Sequence, residues 1–273
     1  MSQFALIPIG MGATPAVSIN QPVTLVGRGR SCDVIIDRPS VSKVHAVLVN
    51  DGFAVLVRDL LTIGGTRLKG RSIHESILEP EDQIRFGAFS FKYVGPPVPP
   101  DQLNEPPAVW LHLSDMQSGR RWRFSRRVIL LGSQEGCDVR VERADVAPLH
   151  AVICRVDAQT TLLRRLAHTL PLARNDAEVR VSLLLNADVL QIGSMKISVA
   201  LTVGAGQPLP EPQASERELL EWSHDGVGDS DWSMLHGADP GDSSSMIAGQ
   251  PFAPGEHADT VRPPADADAE EDV

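Results

Sequence analysis

Three polar side chains between positions 28 and 43 have the chemistry to bind one anion together. Arg28 follows a short apolar run, and Ser42 and Lys43 come directly before the next one. The polar stretch between these runs contains Pro39 and Ser40, which is typical of a loop. A guanidinium, a hydroxyl and an ammonium group all donate hydrogen bonds to oxyanions. The spacing therefore predicts that two strand ends bring Arg28, Ser42 and Lys43 to a common anion site.

The elements that must hold these side chains are predicted to be β-strands. Up to residue 94 the chain consists of short β-branched or aromatic runs separated by Gly, Pro, Asp and Asn, a pattern typical of an all-β sandwich. The last run, 89–94, places Phe89, Phe91 and Tyr93 on one face. The segment 95–100 then contains four prolines, and proline cannot donate to a β-ladder. We expect a stiff linker there.

After the linker the same pattern begins again. Shifting 27–47 by 105 positions aligns nine identical residues with 132–152. The nine pairs are Gly27/Gly132, Cys32/Cys137, Asp33/Asp138, Val34/Val139, Arg38/Arg143, Val41/Val146, His45/His150, Ala46/Ala151 and Val47/Val152. A period this long predicts two copies of a whole domain, each with its own core.

The amino-acid composition of the chain changes at Gly204. Residues 204–273 contain 16 acidic and two basic residues, so this segment carries a net charge of −14 and leaves +4 for residues 1–203. Few apolar residues remain, which predicts a disordered tail. Two islands, 218–222 and 231–235, place a tryptophan beside acidic residues, which is compatible with either docking motifs or incidental positions. The acidic tail argues against nucleic acid as the main partner, since it would compete with phosphate backbones.

Several other functions find no support in the sequence. The three cysteines, Cys32, Cys137 and Cys154, show no disulfide or zinc-binding spacing, and a reducing cytoplasmic location is expected. No signal peptide or membrane span is predicted. The sequence shows no nucleotide loop, metal cluster or convergent pair of acids. We therefore expect neither an enzyme nor a protein with a cofactor or metal.

Residues 4–95 resemble the forkhead-associated (FHA) domain, a β-sandwich that binds phosphothreonine peptides. The resemblance depends on three separated stretches in the expected order, which are Gly27-Arg28, Ser42-Lys43-Val44-His45, and Gly64-Gly65-Thr66 followed by Leu68-Lys69-Gly70. The implied organisation is an FHA domain at 1–95, a linker at 96–107, a degenerate FHA-like domain at 108–203 and the acidic tail at 204–273. The fold class is thus all-β, with two tandem sandwiches.

The resemblance implies roles for individual residues. Phosphothreonine would be bound by Arg28, Ser42, Lys43, Gly65 and Thr66. Arg30 would add a more distant positive charge, and Gly27 and His45 would support the loops. Ser42 and His45 could also suggest a nucleophile and its base, but no third partner is evident. One departure is Gly64, where the family usually has an asparagine that holds the backbone of the bound peptide.

The second copy lacks these ligands. Ser133 replaces Arg28, Ala147 replaces Ser42, and Pro148 replaces Lys43, while the glycine loop becomes Leu170-Pro171-Leu172. His150 is retained although the phosphate ligands are gone, which indicates a structural histidine. We expect the second domain not to bind phosphothreonine.

The sequence leaves two functions open. The first is a non-enzymatic phosphothreonine-binding adaptor in Ser/Thr-kinase signalling, with a kinase or a kinase substrate as its partner. The second is a phosphate-independent scaffold built from two FHA-like sandwiches. Thr260, the only threonine of the tail, adds the hypothesis that its phosphorylated form binds the first domain of the same chain. An ordinary exposed threonine is the simpler interpretation.

Overall fold

The computed structural model describes residues 4–10, 15–98 and 109–203, together with the backbone of a short strand at 207–208. Every regular element in these ranges is a β-strand, and the strands form four sheets. The expected all-β fold with two sandwiches is confirmed. The described residues contain no helical segment that could span a membrane.

The first sandwich is built from eleven strands. In chain order they are β1 (Ala5–Pro8), β2 (Val17–Ser18), β3 (Val23–Gly27), β4 (Val34–Ile35), β5 (Ala46–Asn50), β6 (Val55–Asp59), β7 (Thr66–Leu68), β8 (Arg71–Ile73), β9 (Glu75–Leu78), β10 (Gln83–Phe86) and β11 (Phe89–Val94). One sheet has the order β2-β1-β11-β10-β7-β8, and the other has the order β4-β3-β5-β6-β9. All neighbours are antiparallel except β3 and β4.

The core of the first sandwich lies between these two sheets. Strand β11 shows how the sequence directs side chains into it, because Phe91 and Tyr93 alternate with polar neighbours and are both fully buried. Phe89 packs partly buried against the same core, as the alternation predicts. The two-residue turn between β10 and β11 uses Gly87, whose φ of +57° favours glycine.

The second sandwich repeats this arrangement. Its strands are β12 (Val109–Asp115), β13 (Arg121–Phe124), β14 (Val128–Gly132), β15 (Val139–Arg140), β16 (Ala151–Arg155), β17 (Thr161–Arg165), β18 (Leu172–Arg174), β19 (Ala177–Glu178), β20 (Val181–Leu183), β21 (Val189–Ile192), β22 (Met195–Val203) and β23 (Gln207–Pro208). The sheet orders, β13-β12-β22-β21-β18-β19 and β15-β14-β16-β17-β20, match those of the first sandwich strand for strand. The internal repeat in the sequence is therefore a repeat of topology.

A third apolar core lies between the two sandwiches. The smaller sheets face each other, so that Leu25, Val47 and Val49 of the first belong to one cluster with Leu130 and Val152 of the second. Strands β3, β5, β6, β14 and β16 are consequently buried at every position. The internal repeat predicts two domains, each with its own core, and does not by itself predict this shared one. The signal was available, because each of these strands contains adjacent apolar residues rather than strict alternation, as expected when both faces are buried.

The predicted boundaries can be compared with the structure only in part. Residues 96–98 follow β11 without forming a strand, and most of the predicted linker lies outside the described residues. Strand β23 pairs with β22 at Thr202 and Val203, which extends the second sandwich beyond its expected end at 203. The two tryptophan islands and Thr260 lie outside the described residues.

Candidate functional site

Backbone hydrogen bonds bring the predicted anion ligands together. The amide of Arg28, just after β3, donates to the carbonyl of Ser42 at 2.9 Å, and the amide of Gly29 donates to the carbonyl of Lys43 at 2.9 Å. These bonds tie the loop after β3 to the loop before β5. The side chains of Arg28 and Lys43 are exposed, and Ser42 is half-buried. The structure thus places Arg28, Ser42 and Lys43 on two adjoining loops, which together form what we call the rim of the first sandwich. That these residues bind one anion stays a prediction.

Gly27 is what allows the two loops to approach so closely. A Cβ atom at this position would lie 2.5 Å from the carbonyl oxygen of Lys43 and 2.9 Å from the sulfur of Cys32. Since backbone atoms cannot easily give way, any side chain at Gly27 would separate Arg28 from Lys43. Its expected supporting role is consistent with this geometry.

The buried ring of His45 contacts three parts of the site, at Ser42, Gly65 and Asp59. Its Nδ1 accepts a hydrogen bond from the amide of Ser42 at 3.1 Å, and its Nε2 lies 3.3 Å from the carbonyl oxygen of Gly65. This network assigns the proton to Nε2, which donates to Gly65. The ring is fully buried, and burial lowers its pKa, while the carboxylate of Asp59 at 4.0 Å acts in the opposite direction. The ring faces the loops from inside, in agreement with a structural role.

Thr66 lies beneath the site rather than on its surface. Its side chain is fully buried, and its hydroxyl donates to Oδ2 of Asp59 at 2.8 Å. A bound peptide cannot reach that hydroxyl without displacing the loop. The resemblance placed Thr66 among the phosphothreonine-binding residues; in the structure its side chain supports the loop.

Asp59 and Thr62 are two structural residues of the site that sequence reasoning missed. The hydroxyl of Thr62 donates to Asp59 Oδ2 at 2.7 Å, and the amide of Thr62 donates to Asp59 Oδ1 at 2.8 Å. The amide of Gly65 donates in turn to the hydroxyl of Thr62 at 3.1 Å. An aspartate three residues before a threonine at the end of a strand is a pattern that commonly closes turns, and it could have drawn attention to this pair.

Gly64 and Gly65 complete the loop between β6 and β7. Gly65 has a φ of +65°, and a Cβ there would meet nothing within 4 Å, so this side of the loop is open. Gly64 differs, because its Cβ would lie 2.9 Å from the carbonyl oxygen of Ser40. The hydroxyl of Ser40 accepts a bond from the amide of Ala88 at 3.3 Å. The loop before β5 is therefore packed against both the glycine loop and the β10–β11 turn.

The rim carries positive charge without a local counter-ion. Within the described ranges, no carboxylate oxygen lies within 4.0 Å of the charged groups of Arg28, Arg30 or Lys43. Cations that are not neutralised inside the protein are available to an external anion.

The second sandwich keeps the supports of this site and lacks its ligands. The amide of Ser133 donates to the carbonyl of Ala147 at 2.9 Å, and Nδ1 of His150 accepts from the amide of Ala147 at 3.2 Å. In place of Ser40, the carboxylate of Asp145 accepts a bond from the amide of Ser194 at 2.6 Å. A carboxylate on this rim would repel a phosphate. That the second copy does not bind phosphothreonine stays a prediction.

Comparisons with known proteins identify the first sandwich. The family model described as "FHA domain" matches residues 24–87. The chain is 25% identical over 96 residues to the glycogen accumulation regulator GarA of Mycolicibacterium smegmatis, which covers 35% of this chain and 61% of that protein. It is 27% identical over 97 residues to the oxoglutarate dehydrogenase inhibitor of Corynebacterium efficiens, which covers 35% of this chain and 68% of that protein.

Solved structures include similar chains. One is the yeast Dun1 FHA domain in complex with a doubly phosphorylated peptide derived from Rad53, with 32% identity, coverage of 35% of this chain and 75% of that chain, and a TM-score of 0.31.

Proposed function

The chain belongs to the FHA domain proteins through its residues 24–87, and from this premise we propose that it is a non-enzymatic adaptor for phosphothreonine peptides in Ser/Thr-kinase signalling. The observation that carries the proposal is the backbone pairing of the two loops that contain Arg28, Ser42 and Lys43, which makes these residues neighbours on one rim of the first sandwich. FHA domains bind phosphothreonine peptides, and this rim has the hydrogen-bond donors that a phosphate requires. The partner would be a phosphorylated kinase or a substrate of one.

A phosphothreonine suits this rim in charge and in hydrogen bonding. It carries roughly −1.5 to −2 charges and three acceptor oxygens. Arg28 would bind two of these oxygens with its planar fork, and the Ser42 hydroxyl and the Lys43 ammonium group would donate to the remaining positions. Charge-assisted hydrogen bonds contribute about 1.5–3 kcal/mol each. Three such bonds account for much of a micromolar affinity, which corresponds to about −8 kcal/mol.

The glycine loop would receive the peptide beside the phosphate. Gly65 offers open space on one side, and the fully buried Thr66 would act by holding this loop in place. Because Gly64 has no side chain, position 64 offers no side-chain amide to hold the backbone of the peptide. We therefore expect recognition to depend mainly on the phosphate.

The experiment that tests this function compares paired peptides. A phosphorylated library and its unphosphorylated counterpart are presented to the full chain, and hits are measured by calorimetry. We expect binding only to phosphorylated peptides, and loss of that binding in Arg28→Ala. Arg71→Ala is the matched control, because Arg71 is exposed on β8 at the end away from Thr66. Equal binding by Arg28→Ala and the wild type would remove Arg28 from the site.

A phosphate-independent scaffold is the second candidate function. The specific observation in its favour is the second sandwich, which keeps the fold without the ligands and buries a sheet face against the first. The same library separates the two candidates. Equal affinity for phosphorylated and unphosphorylated peptides would favour the scaffold.

A further inference from the structure

The loop that carries the glycines of the site also contacts the second sandwich. We propose that residues 133–138, which join β14 to β15, hold the 60–65 loop of the first sandwich in its peptide-binding conformation. The inference rests on the proposed function, because it assigns the second copy a role in the binding site of the first. The contact is made by Leu61, Gln134 and Gly136.

The contact is close and specific. A Cβ atom on Gly136 would lie 3.0 Å from Cδ2 and 3.2 Å from Cδ1 of Leu61, so the Leu61 side chain rests against the bare backbone of Gly136. The side-chain amide of Gln134 donates to the carbonyl oxygen of Leu61 at 3.4 Å. Leu61 is also partly buried against the core shared by the two sandwiches. Side chain and backbone of Leu61 are thus both engaged by the second sandwich.

Leu61 is a residue whose backbone needs such support. Its φ is +57°, in the left-handed region that a leucine rarely adopts. Strained backbone persists where the surroundings hold it in place. The contacts from Gln134 and Gly136 supply surroundings of this kind, and they come from a different domain.

The position of Leu61 determines the positions of the residues that follow it. The preceding residue, Leu60, is buried and donates its amide to the carbonyl of His45 at 2.9 Å. The next residue, Thr62, accepts the hydrogen bond from the amide of Gly65. Gly65 in turn accepts from His45, which also holds Ser42. A displacement at Leu61 would therefore reach both the glycine loop and a phosphate ligand.

The loop of the second sandwich that makes this contact is the counterpart of the phosphate loop of the first. Gly27 aligns with Gly132, so that Gln134 and Gly136 occupy the places of Gly29 and Ser31. In the first copy this loop presents Arg28 to an anion. In the second copy the arginine is replaced by Ser133, and the loop packs against its neighbour. The first copy thus binds the phosphopeptide, and the second copy positions the 60–65 loop of the first.

The test compares two glycine substitutions in the full chain. Gly136→Asn places an amide against Leu61, and Gly119→Asn is the matched control. Both glycines belong to the second sandwich and have positive φ, +93° and +72°, but a Cβ on Gly119 would meet nothing within 4 Å. Asparagine is chosen because it is neutral and tolerates left-handed backbone. The readouts are the dissociation constant for a phosphothreonine peptide and the hydrogen exchange of the Thr62 and Gly65 amides.

We expect Gly136→Asn to weaken peptide binding by about two- to thirtyfold, the range for coupling through contiguous contacts. Exchange at Thr62 and Gly65 should accelerate, and Gly119→Asn should change neither quantity. Adding Leu61→Ala to Gly136→Asn removes the overlap between the two side chains. The loss of binding free energy in the double variant should therefore be smaller than the sum of the losses in the two single variants.

Several results would overturn the inference. One is equal dissociation constants for the two asparagine variants, and another is faster exchange with no change in affinity. If the wild type binds no phosphopeptide, the proposed function fails, and positioning is then judged from exchange alone: faster exchange in Gly136→Asn only would support it, and identical exchange would reject it.

Discussion

Arg58 and Arg164 occupy the same place in the two sandwiches, and each crosses to the other sandwich to make the same pair of contacts. Arg58 lies opposite Val47 in the β5–β6 ladder, and Arg164 lies opposite Val152 in the β16–β17 ladder. Arg58 donates to the carbonyl oxygen of Val128 at 2.6 Å and to the carboxylate of Asp138 at 2.8 Å.

The second arginine completes the symmetry. Arg164 donates to the carbonyl oxygen of Val23 at 3.1 Å and to the carboxylate of Asp33 at 2.7 Å. Each contact is the counterpart of an Arg58 contact, which is the arrangement of an isologous interface between two identical subunits. Here the two halves belong to one chain, so the tandem sandwiches form a covalently linked pseudo-symmetric pair.

The interface arginines are expected to contribute unequally to stability. Arg58→Met leaves the Val128 carbonyl without its side-chain donor and removes one of the three donors to the carboxylate of Asp138, whose side chain is 6% exposed. A buried polar group left unsatisfied costs about 1–3 kcal/mol. Arg164→Met should lower the free energy of unfolding less, because the Asp33 side chain is 25% exposed and water can replace the arginine. Urea unfolding measures both.

The exposed Arg71 provides the control for this pair, and Arg71→Met should fall within about 0.5 kcal/mol of the wild type. A larger loss of stability in Arg164→Met than in Arg58→Met would contradict the ranking by burial.

The cysteines are expected to report on opening of the shared core. Cys154 is fully buried in that core, and burial raises the pKa of its thiol to about 12, as it does for Cys32. Cys137 is half-exposed, with a pKa of about 11 raised by the same cause. Because the thiolate is the reactive form, neutral-pH labelling of the folded chain should be slow at all three and slowest at Cys154.

Mass spectrometry after timed labelling measures these rates. Arg58→Met should accelerate labelling of Cys154 more than Arg71→Met does. If Cys154 reacts as fast as Cys137 in the wild type, the two sandwiches do not stay packed as the structure describes.

Acid is expected to destabilise the chain through its buried histidines. Burial lowers the pKa of His45 below its ordinary value of 6.5, and burial also lowers that of His150. Between the folded and unfolded pKa values the folded protein binds fewer protons than the unfolded chain. The free energy of unfolding should therefore decrease as pH falls below about 6.5. Protonation at Nδ1 would also break the bond from the Ser42 amide.

The measurement is urea unfolding between pH 5 and pH 8 for the wild type and His45→Asn. The variant is less stable overall, but its stability should depend less steeply on pH, with His150 accounting for part of the remaining slope. Parallel curves for the two proteins would exclude His45 as a source of the acid sensitivity.

Introducing the asparagine that the family usually carries at position 64 is expected to weaken binding. A Cβ at Gly64 would lie 2.9 Å from the carbonyl oxygen of Ser40, so the loop that leads to Ser42 must shift. Forced overpacking of this kind costs about 1–3 kcal/mol. Gly64→Ala separates the two effects, since it adds the same Cβ without the amide. Calorimetry with a phosphopeptide checks the prediction, and tighter binding by Gly64→Asn than by the wild type would refute it.

Local sequence patterns are sufficient for the fold class and the repeat, and they predict which residues bind the anion. Short apolar runs between turn residues suffice for an all-β prediction, because strand periodicity and turn chemistry are local properties. The repeat separated scaffold from ligands, since Gly132 and His150 persist where Arg28 and Ser42 are lost. The structure places Arg28 and Ser42 on adjoining loops, and their role as anion ligands stays a prediction.

How the two copies pack together follows from the tertiary structure. The burial of Thr66, the bonds of Asp59 and the packing of Leu61 against Gly136 all join segments that are distant in sequence or lie in different domains. Apolar runs predict that β3 and β14 are buried on both faces, but not that the two strands contribute to one shared core. That pairing follows from the relative orientation of two folded domains, which local sequence patterns do not encode.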